Sequence, residues 1–189
     1  MIINVKNMMC LRCKIVVNNI LTDLGVEAES VSLGEIVLKK KLPVYKLKLL
    51  EAALKETDLE LIFDQKNIID QKIKTLIAES IHYSNEPLNM KFSYYLSSRL
   101  NYNYSYLAKI FLEINGINIE RYIILQKIEK VKAMLISDSA YLNEIAYKMN
   151  YSSVSHLSAQ FKKVTGLRVR DYKLLKANTY TSMNHMMAV

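Results

Sequence analysis

The sequence predicts an α+β chain. A βαββαβ lobe is expected over residues 1–65, an all-α domain with two helix-turn-helix units over 66–176, and a flexible tail over 177–189. Three observations predict this. Strand and helix periodicities alternate through residue 65, whereas no convincing strand pattern follows Asn67. Charge divides at the same place. Nine Lys/Arg balance nine Asp/Glu in the first 65 residues, and the remaining 17 basic and 9 acidic residues carry the whole net charge of +8. Finally, a Leu-x3-Phe-x4-Gly pattern occurs twice in the helical part: Leu107, Phe111 and Gly116, then Leu157, Phe161 and Gly166.

The first lobe reads element by element. Ile2–Val5 is a short strand. From Leu11 the period changes, and Val16, Val17, Ile20, Leu21 and Leu24 share a helical face that Gly25 terminates. Val26–Leu33 and Glu35–Leu38 read as strands turning at Gly34. Pro43 suits the first turn of a helix continued by Leu47, Leu50 and Leu54. Leu59, Leu61 and Phe63 alternate as a last strand. The order is that of the split βαβ of ferredoxin-like folds, which buries a small core under two helices.

In the second part, Ile69, Ile73, Leu76, Ile77 and Ile81 form a helical stripe. Phe92, Leu96 and Leu100 form the next, after Pro87. Further helices read as about 103–114, 120–137, 141–149, 153–164 and 170–176. Each copy of the repeat follows a short amphipathic helix that ends at an asparagine, Asn101 or Asn150. A helix-turn-helix requires a tight turn with one residue in the left-handed region. Asparagine is the best substitute there for glycine. Leu and Phe four apart then anchor the second helix, leaving its opposite face free. A plain helical bundle with repeated packing is the alternative. Twelve of the thirteen tyrosines also lie in this basic part, as expected of a module that binds a polyanion; a solvated basic surface is the blander reading.

With these residues in place, 67–176 resembles the AraC/XylS-type DNA-binding domain of bacterial regulators. The matching segments are Tyr102–Phe111 with Asn115–Ile117, Lys127–Lys132, Glu144–Ser153 and Phe161–Gly166. Asn101 and Asn150 replace the frequent turn glycines, and Val169 stands where proline is common. The resemblance implies double-stranded DNA as partner, with each second helix in a major groove and a linking helix over 120–137. Two units so joined are expected to address grooves about one turn apart. It implies Tyr104, Ser105, Ala108 and Lys109 as base-facing residues of the first unit, and Val154, Ser155, His156, Ser158 and Ala159 of the second. Lys109 suits guanine and the hydroxyls either base type, while Ala108 and Ala159 offer a thymine methyl contact or none. Lys127, Lys130, Lys162, Lys163, Arg168 and Arg170 are candidates for phosphate contact, each with ordinary solvation as the alternative. His156 packed on Tyr151 without base contact is the alternative for that residue.

Cys10 and Cys13 are the only cysteines and are expected to be reduced in a cytosolic chain. A Cys-x-x-Cys entering a helix brings both sulfurs close together, and the helix N-terminus favours thiolate. Soft thiolates suit Cu(I) or zinc; two suffice for Cu(I), whereas zinc requires further ligands. Residues 1–65, with Met8 two before the first cysteine, resemble the heavy-metal-associated domain of copper chaperones and metal-transporting ATPases. Asn7 replaces that motif's preceding glycine. The resemblance implies Cys10 and Cys13 as metal ligands. A thiol–disulfide switch and a lobe that serves only dimerisation or partner contact are the alternatives. Met183, His185, Met186 and Met187 of the tail suit a soft metal, with a disordered tail as the alternative.

The function classes narrow accordingly. The N-terminus shows no basic n-region or cleavage site, and no apolar run is long enough to span a bilayer, so a cytoplasmic protein without a membrane partner is expected. No Gly-rich phosphate loop, triad or paired-carboxylate site is legible, and His82, His156 and His185 are scattered, so neither an enzyme nor a small organic cofactor is expected. Two readings stay open: a sequence-specific transcription regulator, possible as a homodimer, responding to soft metal or thiol state; and a metal-trafficking or buffering protein with an attached interaction module.

Overall fold

The computed structural model describes residues 1–84, 86–137 and 141–175. The expected tail, 177–189, lies outside the described residues, as does the last residue of the helix expected over 170–176. Two compact units form. One joins Met1–Ala78 to Phe92–Asn118, and the other joins Glu79–Lys91 to the described residues from Ile119 onward.

The first unit opens with β1 (Ile2–Lys6), α1 (Leu11–Asp23), β2 (Ala28–Ser32), β3 (Glu35–Leu38), α2 (Val44–Lys55) and β4 (Glu60–Ile62). The strands form one antiparallel sheet in the order β2-β3-β1-β4. Alternation along β1 sends Ile3 and Val5 into a core with Met8, Val17, Leu21, Ile36, Leu38, Leu50, Leu54 and Leu59. Gly34 turns β2 into β3 at φ 76°, and β2 is shorter than expected, ending before Leu33. Two expectations are corrected. Pro43 caps α2 from outside, with extended backbone (φ −65°, ψ 153°), rather than sitting in its first turn. Phe63 lies beyond β4 and is 66% exposed, because the strand ends at Ile62; Leu59 and Ile62 are buried and Leu61 packs partly against the core.

The same unit continues with α3 (Gln65–Ala78), α4 (Phe92–Leu100) and α5 (Tyr104–Asn115). Helix α3 packs on both β1 and α5, and α4 packs on α5. The stripe expected to run as α-helix through Ile81 changes at Ala78 into a π-helical turn, Glu79–Tyr83, where the Ser84 N–H donates to the Glu79 carbonyl. In the second unit follow α6 (Ile119–Ser137), α7 (Leu142–Lys148) and α8 (Val154–Thr165), with residues 169–175 again helical. Helix α6 packs on α8, and α7 on α8.

The two repeats share local causes. Asn101 (φ 58°) and Asn150 (φ 55°) adopt the left-handed conformation expected of them. Gly116 and Gly166 cap α5 and α8 in the same region, at φ 68° and 76°. Asn103 caps α5 by accepting from the Ser105 N–H, and Ser153 caps α8 by accepting from the His156 N–H. Leu107 and Phe111, and likewise Leu157 and Phe161, are completely buried.

Asn101 supplies a direct test. Asn101→Ala should destabilise the chain by about 1–2 kcal/mol, since Cβ crowds the following carbonyl in this conformation, whereas Asn101→Gly should not. Urea unfolding reads the difference; equal midpoints for the two variants would show that the turn imposes no such constraint.

Candidate nucleic-acid interface and thiol site

The anchoring pairs decide which side of each second helix is free. With Leu107, Ile110 and Phe111 buried, α5 turns Ser105 and Lys109 outward, and Tyr104 and Ala108 lie half-buried at the margin. With Leu157 and Phe161 buried, α8 exposes Ser155, His156 and Ala159, with Val154 and Ser158 half-buried. Each group of base-facing candidates therefore shares one helix and lies opposite or beside its anchors, at the i, i+3/i+4 spacing of a helical face. His156 is held from within the unit. Its Nδ1 is 3.0 Å from Ser152 Oγ, and its ring meets that of Tyr151 edge-on at 5.2 Å.

The basic candidates separate into two groups. Lys162, Lys163, Arg168 and Arg170 are exposed. Lys127 instead sets its Nζ 5.3 Å from the centre of the Tyr151 ring, and burial holds its ammonium below the ordinary lysine range. Lys130 donates to the His82 carbonyl at 3.1 Å. Both lysines thus brace their own unit. Burial also pushes the Tyr151 phenol up, and among the described residues its hydroxyl is the one buried side-chain polar atom without a hydrogen-bond partner.

Ser158, Ala159, Lys162, Arg168 and Arg170 converge on an open surface cavity of about 730 Å³, with Leu142, Val169 and Leu174 as apolar walls. Lys173 lines it too. The sequence reading missed Lys173, although it stands three residues after Arg170 in a helical stretch and so shares its face. What converges is a set of four cationic side chains around mostly apolar walls, beside the exposed side of α8.

At the thiol site, a left-handed Asn7 (φ 66°) reverses the chain after β1, and the fully buried Met8 pins the loop to the core. Cys10 caps α1: its Sγ accepts from the Cys13 N–H at 3.4 Å and lies 3.1 Å from Cys13 Sγ. Both cysteines are free thiols and half-buried. The hydrogen bond from Cys13 lowers the Cys10 pKa, helped by the Cys13 and Arg12 N–H groups and the Arg12 charge, against the opposing effect of burial. The two donors fit a soft monovalent ion, which needs only two thiolates. Among the described residues no cluster of three or more His, Cys, Asp or Glu side chains is placed to hold a metal.

Comparison with known proteins places this geometry. Residues 96–174 match a protein family described as a helix-turn-helix domain. The C-terminal domain of AraT, a response regulator from Geobacillus stearothermophilus, has a similar fold, with a TM-score of 0.50 and 22% identity, covering 59% of this chain and 88% of that one. A DNA-binding transcriptional dual regulator from Escherichia coli K-12 gives 0.50 at 16% identity, covering 58% and 93%. A transcriptional regulator with an AraC-type DNA-binding domain from Chromobacterium violaceum gives 0.48 at 17%, covering 57% and 94%. No curated protein matches the chain. Among the described residues no helix is long and apolar enough to cross a membrane.

The thiol geometry carries its own test. The alkylation rate of Cys10 should rise with pH around a midpoint below the ordinary thiol value, because its thiolate is stabilised. Cys13→Ala should move that midpoint more than Arg12→Ala does, since it removes the side-chain hydrogen bond that is the largest cause. A larger shift from the Arg12 variant would reverse the assignment.

Proposed function

We propose that the chain is a DNA-binding transcription regulator of the AraC type, in which α5 and α8 read successive half-sites of one operator. The observation that carries this reading is the duplicated reader: two capped helices, each entered through a left-handed asparagine, closed by a left-handed glycine, and anchored by a buried Leu–Phe pair. The helix-turn-helix match over 96–174 supports it.

In this reading Tyr104, Ser105, Ala108 and Lys109 face bases in the first half-site, and Val154, Ser155, His156, Ser158 and Ala159 face bases in the second. The readers are unequal. Lys109 brings a full charge suited to guanine, whereas α8 presents small and polar groups, so duplex shape carries more of the recognition there. Lys162, Lys163, Arg168 and Arg170 hold phosphates, with Lys173 beside them. Lys127 and Lys130 keep the packing roles that their internal contacts give them.

The N-terminal lobe, read as a ferredoxin-like domain, is the sensor. Its two thiols take a soft ion, with Cu(I) the best match to a two-sulfur donor set, or respond to thiol redox state. When bound, such an ion supplies a positive charge shared by two thiolates and a fixed geometry between Cys10 and Cys13.

Salt titration of duplex binding tests the DNA half of this reading. The logarithm of affinity should fall linearly with the logarithm of salt, with a slope of about −0.9 for each phosphate neutralised. Arg168→Ala should make the slope shallower by about 0.9 for every sequence alike. Salt-independent affinity, or an unchanged slope in the variant, would contradict the assignment.

A further inference from the structure

Asp70 and Gln71 are the buried polar residues among those described, 4% and 3% exposed, and they are neighbours on α3. Consecutive residues of an α-helix point about 100° apart, so adjacent side chains can address different partners. These two do. Gln71 Oε1 accepts from the Asn7 N–H at 3.2 Å, and its Nε2 donates to Thr75 Oγ1 at 3.4 Å. Asn7 is the left-handed residue that starts the thiol loop, and its carbonyl lies 3.9 Å from Cys13 Sγ. Asp70 faces the reader. Its Oδ1 accepts from Nδ2 of Asn115, the last residue of α5, at 2.6 Å, and its Oδ2 accepts from Lys74 at 2.7 Å. Lys74 in turn lies 5.8 Å from the ring centre of Phe111, the anchor of α5.

We propose that Gln71 and Asp70 are positioning residues through which occupation of the Cys10/Cys13 pair alters the hold on the first reader helix. This rests on the sensing role proposed above for the two thiols. Anything that draws both sulfurs into one fixed geometry shifts Cys13 Sγ relative to the Asn7 carbonyl, and a rotation of the Asn7 backbone that follows it moves the Asn7 N–H on the preceding peptide, the group that Gln71 holds. Gln71 has almost no contact with water, so it must follow its partner or leave a buried group unpaired. Its neighbour Asp70 shares the same turn of α3, and that turn holds the C-terminal end of α5. The close approach of the β2–β3 turn reinforces the coupling: a Cβ at Gly34 would lie 3.2 Å from both Gln71 Cγ and Thr75 Oγ1, so this part of α3 has little room to absorb a displacement.

The test uses the full chain, Cu(I) supplied under reducing conditions with a competing chelator, and a duplex selected from a random pool by the metal-free protein. Two ratios are measured: duplex affinity with and without Cu(I), and Cu(I) affinity with and without duplex. Linkage requires them to be equal, and coupling between two such sites is commonly about 5- to 150-fold. Wild type should show a ratio in that range. Gln71→Leu should keep the Cu(I) stoichiometry and the metal-free duplex affinity, while its ratio falls to within about twofold of unity. Asn115→Ala, at the other end of the link, should do the same, and it decides the matter if Gln71→Leu fails to fold. A wild-type ratio that persists in the variants overturns the link and leaves the sensor standing. A wild-type ratio of unity overturns both and leaves DNA binding standing alone.

Discussion

Burying Leu107 and Phe111 on one side of α5, and Leu157 and Phe161 on one side of α8, is the constraint on which the remaining geometry depends. A fully buried Leu or Phe contributes about 1.5–3 kcal/mol, so rotating either helix to present another face would expose a large share of what holds it. Once the anchors are fixed, the outward residues follow from the helical period. The turns must then deliver each helix at the right angle, which requires Asn101 and Asn150 to adopt a conformation that most residues avoid. Capping by Asn103 and Ser153 fixes where the outward face begins.

The two helices proposed as readers are supported differently within their own units. In the first, α5 rests on α3, which also rests on β1, so one helix serves both the reader and the thiol lobe. In the second, α8 rests on α6 and α7, and Lys127 and Tyr151 pack at that support. A polar pair at the centre of the first support and a cation over an aromatic ring in the second are different chemistries. Displacing a buried, hydrogen-bonded pair leaves orphaned polar groups, whereas a cation over a ring tolerates small shifts because the attraction is not directional in the same degree. In the proposed account, α5 is therefore the helix whose pose responds to the thiol lobe.

Much of this was legible in the sequence. The asparagine turns, the terminal glycines and the Leu–Phe anchors are local signals, and each position has a physical reason to be that residue type. The order of strands and helices in the first 65 residues was legible from periodicity. What escaped the sequence depended on contacts between distant segments. Phe63 continues an alternation that the sheet does not continue, because the neighbouring strand β1 pairs only as far as Glu60–Ile62. Lys127 and Lys130 look like surface lysines until their partners Tyr151 and His82 are known. Asp70 and Gln71 read as the polar side of an amphipathic helix, and only the sheet on one side and α5 on the other bury them. Asn7 and Asp58 carry positive φ without a turn motif around them to announce it.

The central claim is that one chain carries two distinct readers. Hydroxyl-radical footprinting of the full chain on a selected duplex tests it most directly. Two separate protected stretches are predicted, one weakened by substitution of Lys109 on α5 and the other by substitution of Ser155 and His156 on α8. A single stretch, weakened alike by both sets of substitutions, would contradict it.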